Sequence, residues 1–290
     1  MNQPARVRQP DHYNSQHSPG ALREQVDTCG LKTPFDTGRV SKMGYLAPHH
    51  SPPNIIEGVT VCVNYADFLD EALHKNLHHF NEFVVVTHFD DRHTKAVCDR
   101  HGVQCIVTDV MLERGDEFNK GLAINLGLAH LRHNGWLCHL DSDIVLPDNF
   151  RNVLHKSGLN DGCIYGADRM NVVGFDEWER VRNSPESARQ FHHRCLVNPT
   201  TKLEVGARLL HNEFGYCPIG YFQLWHSRQQ KRYPINQGSA EHTDVLFSVQ
   251  WPREHRRLLP TFYVYHLESE PAQWGANWGG RRTKPFAKGR

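Results

Sequence analysis

Two aspartates end an apolar run in the stretch WLCHLDSDIVLP, residues 136–147. In an extended chain, residues i and i+2 point to the same side, so the carboxylates of Asp141 and Asp143 can converge on one point. Two like charges this close raise each other's pKa unless a cation lies between them. Oxygen ligands in this arrangement suit Mg2+ or Mn2+, often as an ion that also holds substrate phosphates. The pair therefore indicates either a metal site or a solvated turn after a strand.

Two other kinds of D-x-D site fit the neighbouring residues poorly. An EF-hand calcium loop needs an oxygen ligand and then a glycine where this chain has Val145 and Leu146. Phosphatases of the haloacid dehalogenase type carry D-x-D near the start of the domain and follow it with Gly or Thr. Here Ile144 follows, and three strand–helix units precede the motif. We therefore favour neither kind.

The elements that position these aspartates are predicted from hydrophobic periodicity. Strands are expected over 58–65, 82–89 and 104–110, with helices around 68–80 and 92–102 between them. Strands that alternate with helices of this length predict βαβ units. The expected fold class is α/β, with a Rossmann-like, mostly parallel sheet and helices on both faces.

A further helix leads into the strand before Asp141. Asn119 is placed to cap its N-terminus, and Gly135 is placed just past its end. The carboxylates then follow the carboxyl end of a strand, which is the edge where open parallel sheets bind ligands. Three more strands are predicted at 161–173, 216–226 and 257–268.

The chain is expected to divide into four parts. Residues 1–53 are rich in Pro, Gln, His and Ser without a sustained period, which is typical of an irregular extension. A regular α/β half at 54–165 precedes a less regular half at 166–268. A basic and aromatic tail occupies 269–290.

Composition limits the kinds of partner. Thirty-three Lys and Arg against 32 Asp and Glu leave a formal charge of +1, so any nucleic acid or membrane must be held by a local patch. No apolar stretch approaches the roughly 20 residues of a membrane span, and no signal peptide is evident, which predicts a soluble, cytoplasmic protein. The eight cysteines make no C-x-x-C pair, and several interrupt apolar runs, which favours free thiols.

Three separated motifs together resemble glycosyltransferases of the GT-A fold, of the family-two and β-1,4-galactosyltransferase types. FNKGLAINLG, residues 118–127, looks like that family's F-N-[RK]-[AG]-x-x-x-N-x-G. LDSDIVLP is similar to its D-x-D followed by an apolar residue and Pro. GYFQLWHS, YPINQGSAEHTDVLFS and FYVYHL match, in order, a Gly-aromatic strand, a G-x-x-E-D-x-D helix start and a late His. The resemblance covers roughly residues 56–268.

The resemblance implies inverting transfer of a sugar from a UDP-sugar to an acceptor hydroxyl, with Mn2+ or Mg2+ as the cofactor. The first half would bind the nucleotide-sugar, and the second would hold the acceptor and the catalytic groups. Asp143 would ligate the metal directly, and Asp141 would reach the metal or the ribose hydroxyls. His266 resembles the late metal-binding histidine, although a histidine satisfied at a strand end is the alternative.

The resemblance also implies contacts with the nucleotide. The groups lining the base and ribose pocket would be Asn64, Tyr65 and one of Asp90 and Asp91. Those near the diphosphate would be Arg114, Asn119 and Lys120, since cations and helix N-termini favour negative charge. A solvated helix start is the alternative for the two cations.

The candidate catalytic base departs from the family pattern. The family's E-D-x-D helix start carries its base on the first Asp, where this chain has His242. A neutral imidazole is able to accept a proton near pH 7. Asp244 and Glu241 stay open as alternatives.

The acceptor is the least defined group. The tail holds five cations and no acid over 281–290, with two tryptophans upstream, and such a tail can bind phosphates and stack on rings. DNA bearing hydroxymethylated bases, as modified by some bacteriophage glycosyltransferases, is one candidate. A glycan, a glycolipid head group or a protein side chain is another. The alternatives to glycosyl transfer are a nucleotidyl or phosphoryl transferase on a similar sheet and a catalytically silent carbohydrate-binding protein.

Overall fold

A computed structural model of the chain describes residues 53–115, 118–183, 209–211, 215–235, 240, 242–270 and 282–286. The strands in these ranges are β1 Ile56–Val61, β2 Glu82–His88, β3 Gln104–Thr108, β4 Trp136–Leu140, β5 Ile144–Val145, β6 Ile164–Val173, β7 Leu209–His211, β8 Gly215–Cys217, β9 Phe222–His226 and β10 Arg256–Glu268. The α-helices are α1 Ala66–Asn76, α2 Arg92–His101, α3 Lys120–Leu128, α4 Phe150–Lys156, α5 Phe175–Asn183 and α6 Thr243–Ser248.

Eight strands form one sheet in the order β3–β2–β1–β4–β9–β6–β10–β5. The pairs from β3 to β4 are parallel, and so is the pair of β6 and β10. Strand β9 is antiparallel to both β4 and β6, and β5 is antiparallel to β10. Six of the eight strands therefore run in one direction, which confirms the predicted mostly parallel α/β sheet.

Apolar side chains on successive residues of β2 pack on opposite faces of the sheet. Val84 and Val86 belong to a buried cluster that includes Ile124 of α3. Val85 belongs to a second cluster that includes Leu73 of α1. A strand buried on both faces needs a run of consecutive apolar residues, as β2 has over 83–86. Helices cover both faces, as predicted.

Helix α3 lies unusually close to its neighbours because two of its positions are glycine. A Cβ at Gly127 would lie 2.5 Å from the side chain of Val59 in β1, and a Cβ at Gly121 would overlap the carbonyl oxygen of Pro234. Each glycine therefore allows a close approach that alanine would prevent.

Two asparagines fix the same helix. Asn119 caps the N-terminus, as predicted, because its Oδ1 accepts a hydrogen bond from the backbone N–H of Leu122 at 3.0 Å. Asn125 donates to the backbone oxygen of Tyr233 at 2.8 Å and accepts from the Tyr233 backbone N–H at 2.8 Å. These bonds attach residue 233, distant in sequence, to the sheet.

The end of α3 differs from the prediction. The helix ends at Leu128 and not next to Gly135, which instead directly precedes β4. The chain turns between them at His133, whose φ of 58° is left-handed. The buried carboxylate of Glu57 accepts backbone hydrogen bonds from His133 at 2.7 Å and Asn134 at 3.0 Å, which stabilises this turn.

The strand predicted over 216–226 was also wrong in extent. The structure has β8 and β9 there, separated by a turn that begins at Pro218. Proline has no N–H to donate to a ladder, and the backbone N–H of Phe222 bonds the oxygen of Ile219 at 3.1 Å within the turn. The turn places Gly220 at the sheet edge that carries the candidate site.

Other predictions are tested only in part. The division at residue 165 falls inside β6 and stays a prediction, and residues 1–52 lie outside the described ranges. Six cysteines are described, and all are free thiols, as expected. Within the described ranges, none of the helices has the length and apolar character needed to cross a membrane.

Candidate active site

Strand pairing places Asp143 beside His266. Asp141 and Asp143 follow the carboxyl end of β4, and β10 runs in the same direction as β4. The short β5 turns back and pairs with β10, with Ile144 opposite His266. The backbone oxygen of Asp143 accepts a hydrogen bond from the Leu267 N–H at 2.9 Å. Two residues 123 positions apart in sequence therefore share one edge of the sheet.

Lys120 lies among three carboxylates. Its Nζ donates to Asp141 Oδ1 at 2.5 Å. Burial disfavours the charged ammonium, but Asp141, Asp244 and Asp143 outweigh it and raise the Lys120 pKa above its usual value. Burial likewise disfavours ionised Asp141, but Lys120 and His139 lower its pKa below the usual value. Lysine and aspartate therefore form an ion pair at the start of α3.

His266 forms a second charged pair with Asp143. Its Nε2 lies 3.5 Å from Asp143 Oδ2, and its Nδ1 lies 3.1 Å from Glu268 Oε1. Burial would lower the His266 pKa, but Asp143 and then Glu268 raise it to about 9. The imidazolium therefore compensates the Asp143 charge near pH 7. Asp143 Oδ1 is buried and has no hydrogen-bond partner among the described residues.

The side chains of Asp143 and His266 fit a divalent cation that binds together with a substrate phosphate. In the described ranges, no three His, Cys, Asp or Glu side chains converge as a complete metal site. Mg2+ and related ions are commonly held by one or two carboxylates together with substrate phosphates and waters. The unpartnered oxygen of Asp143 and the imidazole of His266 would supply two ligands. Phosphate oxygens and water would supply the others.

Asp244 adjoins Lys120 from the side of α6. Asp244 Oδ2 accepts a hydrogen bond from the Gly220 N–H at 2.6 Å, and Oδ1 accepts one from the Val245 N–H at 2.9 Å. A Cβ at Gly220 would lie 3.3 Å from both Asp244 Oδ2 and Lys120 Nζ. The structure therefore brings three of the predicted carboxylates, one cation and one histidine to the same place.

The other two candidates for the base are placed differently. His242 is exposed at the N-cap of α6 with a φ of 60°, a left-handed conformation that is uncommon for a non-glycine residue. Glu241 lies outside the described residues. The assignment of the base among His242, Asp244 and Glu241 stays a prediction.

The loop after β1 is held by an aspartate from the loop after β2. Asp91 is buried, and its carboxylate accepts hydrogen bonds from the backbone N–H of Asn64 at 2.6 Å and from Thr94 Oγ1 at 2.7 Å. Asp90, in contrast, has 74% of its side chain exposed. Tyr65 is the N-cap residue of α1. Asp91 therefore shapes the predicted nucleotide pocket, while Asp90 is accessible to a ligand.

Asn119 and Arg114 are the other two residues predicted to contact the diphosphate. Asn119 is buried, and its side-chain oxygen is used in capping α3. Arg114 lies in the 3-10 helix Val110–Gly115, and its side chain is outside the described part of the structure. Their contacts with a nucleotide stay predictions.

Sequence reasoning missed Gln223, which connects three segments beside the candidate site. Its Nε2 donates to the oxygen of Pro218 at 2.9 Å, the oxygen of Asp244 at 3.0 Å and Ser248 Oγ at 2.9 Å. Its Oε1 accepts from the Tyr233 hydroxyl at 2.5 Å. The available signal was a glutamine inside the apolar strand FQLWH, since a buried polar residue is informative.

Glu268 and Arg169 were also missed. Glu268 is buried two residues after His266, so both side chains lie on the same face of β10. The guanidinium carbon of Arg169 lies 5.2 Å from the ring centroid of Tyr221. Arg169 opposes the charge of His266 and lowers its pKa, although less than the carboxylates raise it.

The predicted basic tail is described only at 269–270 and 282–286, and Phe286 packs on the protein. Phe286 stacks on Phe68 of α1 with ring centroids 4.8 Å apart. Lys284 Nζ lies 2.9 Å from Glu270 Oε2, so one of the tail cations is paired with an acid. A DNA acceptor stays a prediction. The tail residues outside the description include Trp274, Trp278, Arg281, Lys288 and Arg290.

Comparisons with known proteins give only distant likenesses. No family model matches the chain, and no curated protein matches it. It is similar to a solved mannosyl-3-phosphoglycerate synthase from Rubrobacter xylanophilus, with 16% identity, a TM-score of 0.45, and coverage of 77% of this chain and 68% of that one. It is also similar to glucosyl-3-phosphoglycerate synthase from Mycobacterium tuberculosis in complex with Mn2+, UDP-glucose and phosphoglyceric acid, with 14% identity, a TM-score of 0.46, and coverage of 73% and 71%. Similarities this low do not assign an activity to this chain.

Proposed function

We propose that this chain is a metal-dependent glycosyltransferase of the GT-A type that transfers a sugar from a UDP-sugar to an acceptor hydroxyl. One observation carries the proposal. At the carboxyl edge of a mostly parallel sheet, Asp141 pairs with Lys120, Asp143 pairs with His266, and Asp244 adjoins Lys120. Diphosphate departure and acceptor deprotonation need a cation and carboxylates arranged in this way.

The donor would lie across the ends of β1 and β4. Lys120 is the first residue of α3, so its ammonium and the helix N-terminus both favour a diphosphate at this position. Asp143 and His266 would hold a divalent ion, which when bound would act as a Lewis acid on the leaving diphosphate. Asp141 would orient Lys120 and reach the ribose or the ion.

The acceptor would enter from the side of Gly220 and α6. A base there takes the proton of the acceptor hydroxyl while the oxygen attacks the anomeric carbon on the face opposite the diphosphate. Among the candidate bases, Asp244 is the one described beside Lys120, and His242 and Glu241 are the alternatives. Attack from the opposite face inverts the anomeric configuration.

A screen of nucleotide sugars tests the proposal. Thermal unfolding would be followed with each sugar in the presence and absence of Mn2+, because a ligand that binds the folded state raises the unfolding midpoint. We expect a Mn2+-dependent rise with a UDP-sugar, and slow hydrolysis of the same donor. Asp143→Asn should lose both effects. Asp70→Asn, which removes a surface ion pair with Arg100, should keep them and serves as the control.

The two alternatives predict different results in the same screen. A nucleotidyl or phosphoryl transferase would turn over nucleoside triphosphates without sugar release. A catalytically silent sugar-binding protein would show thermal stabilisation without any hydrolysis. No response to any nucleotide sugar at saturating Mn2+ would contradict the proposed function.

A further inference from the structure

We propose that Glu268 is a positioning residue that fixes the ring of His266 with Nε2 facing Asp143. The inference rests on the proposed function, because the orientation matters to the reaction only if Asp143 and His266 hold a divalent ion. It gives the buried Glu268 carboxylate a role, although Glu268 takes no direct part in the transfer reaction.

Strand β10 places the two side chains on one face. His266 and Glu268 are two residues apart in an extended chain, so their side chains point to the same side. Leu267 between them points to the other face, where it is buried in a cluster with Val172. The N–H of Leu267 bonds the backbone oxygen of Asp143 at 2.9 Å. The strand therefore holds the His266 backbone at a fixed distance from Asp143.

The backbone alone does not determine which ring nitrogen faces Asp143. The observed ring has Nδ1 at 3.1 Å from Glu268 Oε1 and Nε2 at 3.5 Å from Asp143 Oδ2. A hydrogen bond from Nδ1–H to a carboxylate leaves Nε2 as the nitrogen that faces the ion, and Nε2 can donate its lone pair once the ion displaces the proton that it carries near pH 7. The same hydrogen bond increases the electron density of the ring and strengthens it as a ligand.

Burial of Glu268 needs an explanation beyond packing. Only 3% of the residue is exposed, and removing a carboxylate from water is costly unless it gains a partner. A buried ion pair often stabilises a fold no better than apolar side chains of the same size, so packing alone does not account for a carboxylate here. Asn171 Oδ1 lies 3.3 Å from the same Nδ1 and offers a neutral acceptor, so a carboxylate is not required merely to satisfy the ring.

Two substitutions separate orientation from packing. Glu268→Met keeps the approximate size and removes the carboxylate, leaving the neutral Asn171 Oδ1 near Nδ1, whereas Glu268→Gln keeps an acceptor oxygen at position 268 and removes the charge. Glu71→Met is the matched control, because the partly buried Glu71 carboxylate also accepts from a ring N–H, that of Trp178 Nε1 at 2.8 Å. Glu71 lies on α1 and takes no part in the candidate site.

The experiment is a Mn2+ titration in the presence of UDP, followed by the electron paramagnetic resonance signal of free Mn2+, with circular dichroism to verify folding. Loss of an outer-shell partner commonly weakens metal affinity by about 10- to 100-fold. We expect a loss of that size for Glu268→Met, a smaller loss for Glu268→Gln and no change for Glu71→Met.

The outcomes distinguish the two proposals. If the wild-type protein with UDP binds no Mn2+, the proposed function fails and Glu268 loses its purpose with it. If the wild type binds Mn2+ and folded Glu268→Met binds it equally well, the positioning role is overturned while the function stands. Should Glu268→Met fail to fold, Glu268→Leu, which also lacks an acceptor, decides, and an unchanged Mn2+ affinity in that variant overturns the role.

Discussion

The side chain of Asn76 supports the loop that carries Asp143. Its Nδ2 donates to the backbone oxygen of Ile144 at 2.7 Å, and its Oδ1 accepts from the Leu146 N–H at 2.8 Å. Asn76 is buried at the end of α1, with 2% of its surface exposed. Leucine has a similar size, so Asn76→Leu removes both hydrogen bonds without opening a cavity.

The expected cost follows from the two backbone groups that lose their partner. Each buried polar group left unpaired costs about 1–3 kcal/mol, so Asn76→Leu should lower the free energy of unfolding by roughly 4 kcal/mol. The measurement is urea unfolding monitored by circular dichroism. Wild type and variant are compared with the same slope of unfolding free energy against urea concentration. The same variant should weaken Mn2+ binding in the presence of UDP, because the backbone next to Asp143 is no longer fixed.

Asn81→Leu is the matched control for this prediction. Asn81 Oδ1 accepts from the Ile56 N–H at 3.0 Å and from Arg151 Nη2 at 2.7 Å, next to the start of β1 and away from the candidate site. Its loss leaves one backbone group unpaired, so about 1–3 kcal/mol is expected, with unchanged Mn2+ binding. If Asn76→Leu has the same urea midpoint of unfolding as the wild type, Asn76 does not support the loop that carries Asp143.

Three further predictions concern pH, packing and the base. Burial lowers the pKa of His79 to about 4. The free energy of unfolding should therefore fall by about 2–3 kcal/mol as the pH drops from 6.5 to 4, because the unfolded chain binds the proton first. Urea unfolding of His79→Phe should show a smaller fall, and equal falls would contradict the assignment. Gly121→Ala should destabilise the protein, because the added Cβ would overlap the backbone oxygen of Pro234. An unchanged unfolding midpoint would show that the backbone at Pro234 moves away at little cost. Steady-state kinetics of His242→Ala and Asp244→Asn should identify the base as the one whose loss lowers kcat by roughly 100-fold with little change in donor KM.

Local sequence patterns predicted the regular half of the fold well, because each pattern there depends on neighbouring residues. The apolar runs and the turn residues between them specify the strands and helices from β1 to β4. The cap at Asn119 was predictable because it depends on residues within one helical turn. Two boundary predictions failed, since Pro218 interrupts a strand and the buried Glu57 forms a turn before Gly135.

The supporting residues of the site were not predictable in the same way. Gln223 and Glu268 look like polar residues in strands, and their roles depend on partners brought close by the tertiary fold. Gln223 bonds Tyr233 and Ser248, which come from separate parts of the chain. Asp141 and Asp143 were recognisable as two carboxylates that end an apolar run. The extended conformation expected between them was wrong, because the backbone turns there with a hydrogen bond from the Ile144 N–H to the Asp141 oxygen, and each aspartate has its own partner, Lys120 or His266.

Helix α3 mechanically connects the candidate site with the segment that begins at Tyr233. Its first residue, Lys120, bonds Asp141, and one turn later Asn125 is joined by two hydrogen bonds to the backbone of Tyr233. A packed helix of nine residues moves as one body, so the cation and residue 233 do not have independent degrees of freedom. Substitutions that displace the backbone of Tyr233 are therefore expected to shift Lys120 as well. Under the proposed function, acceptor specificity and donor affinity would therefore be coupled, and variants selected for one would change the other.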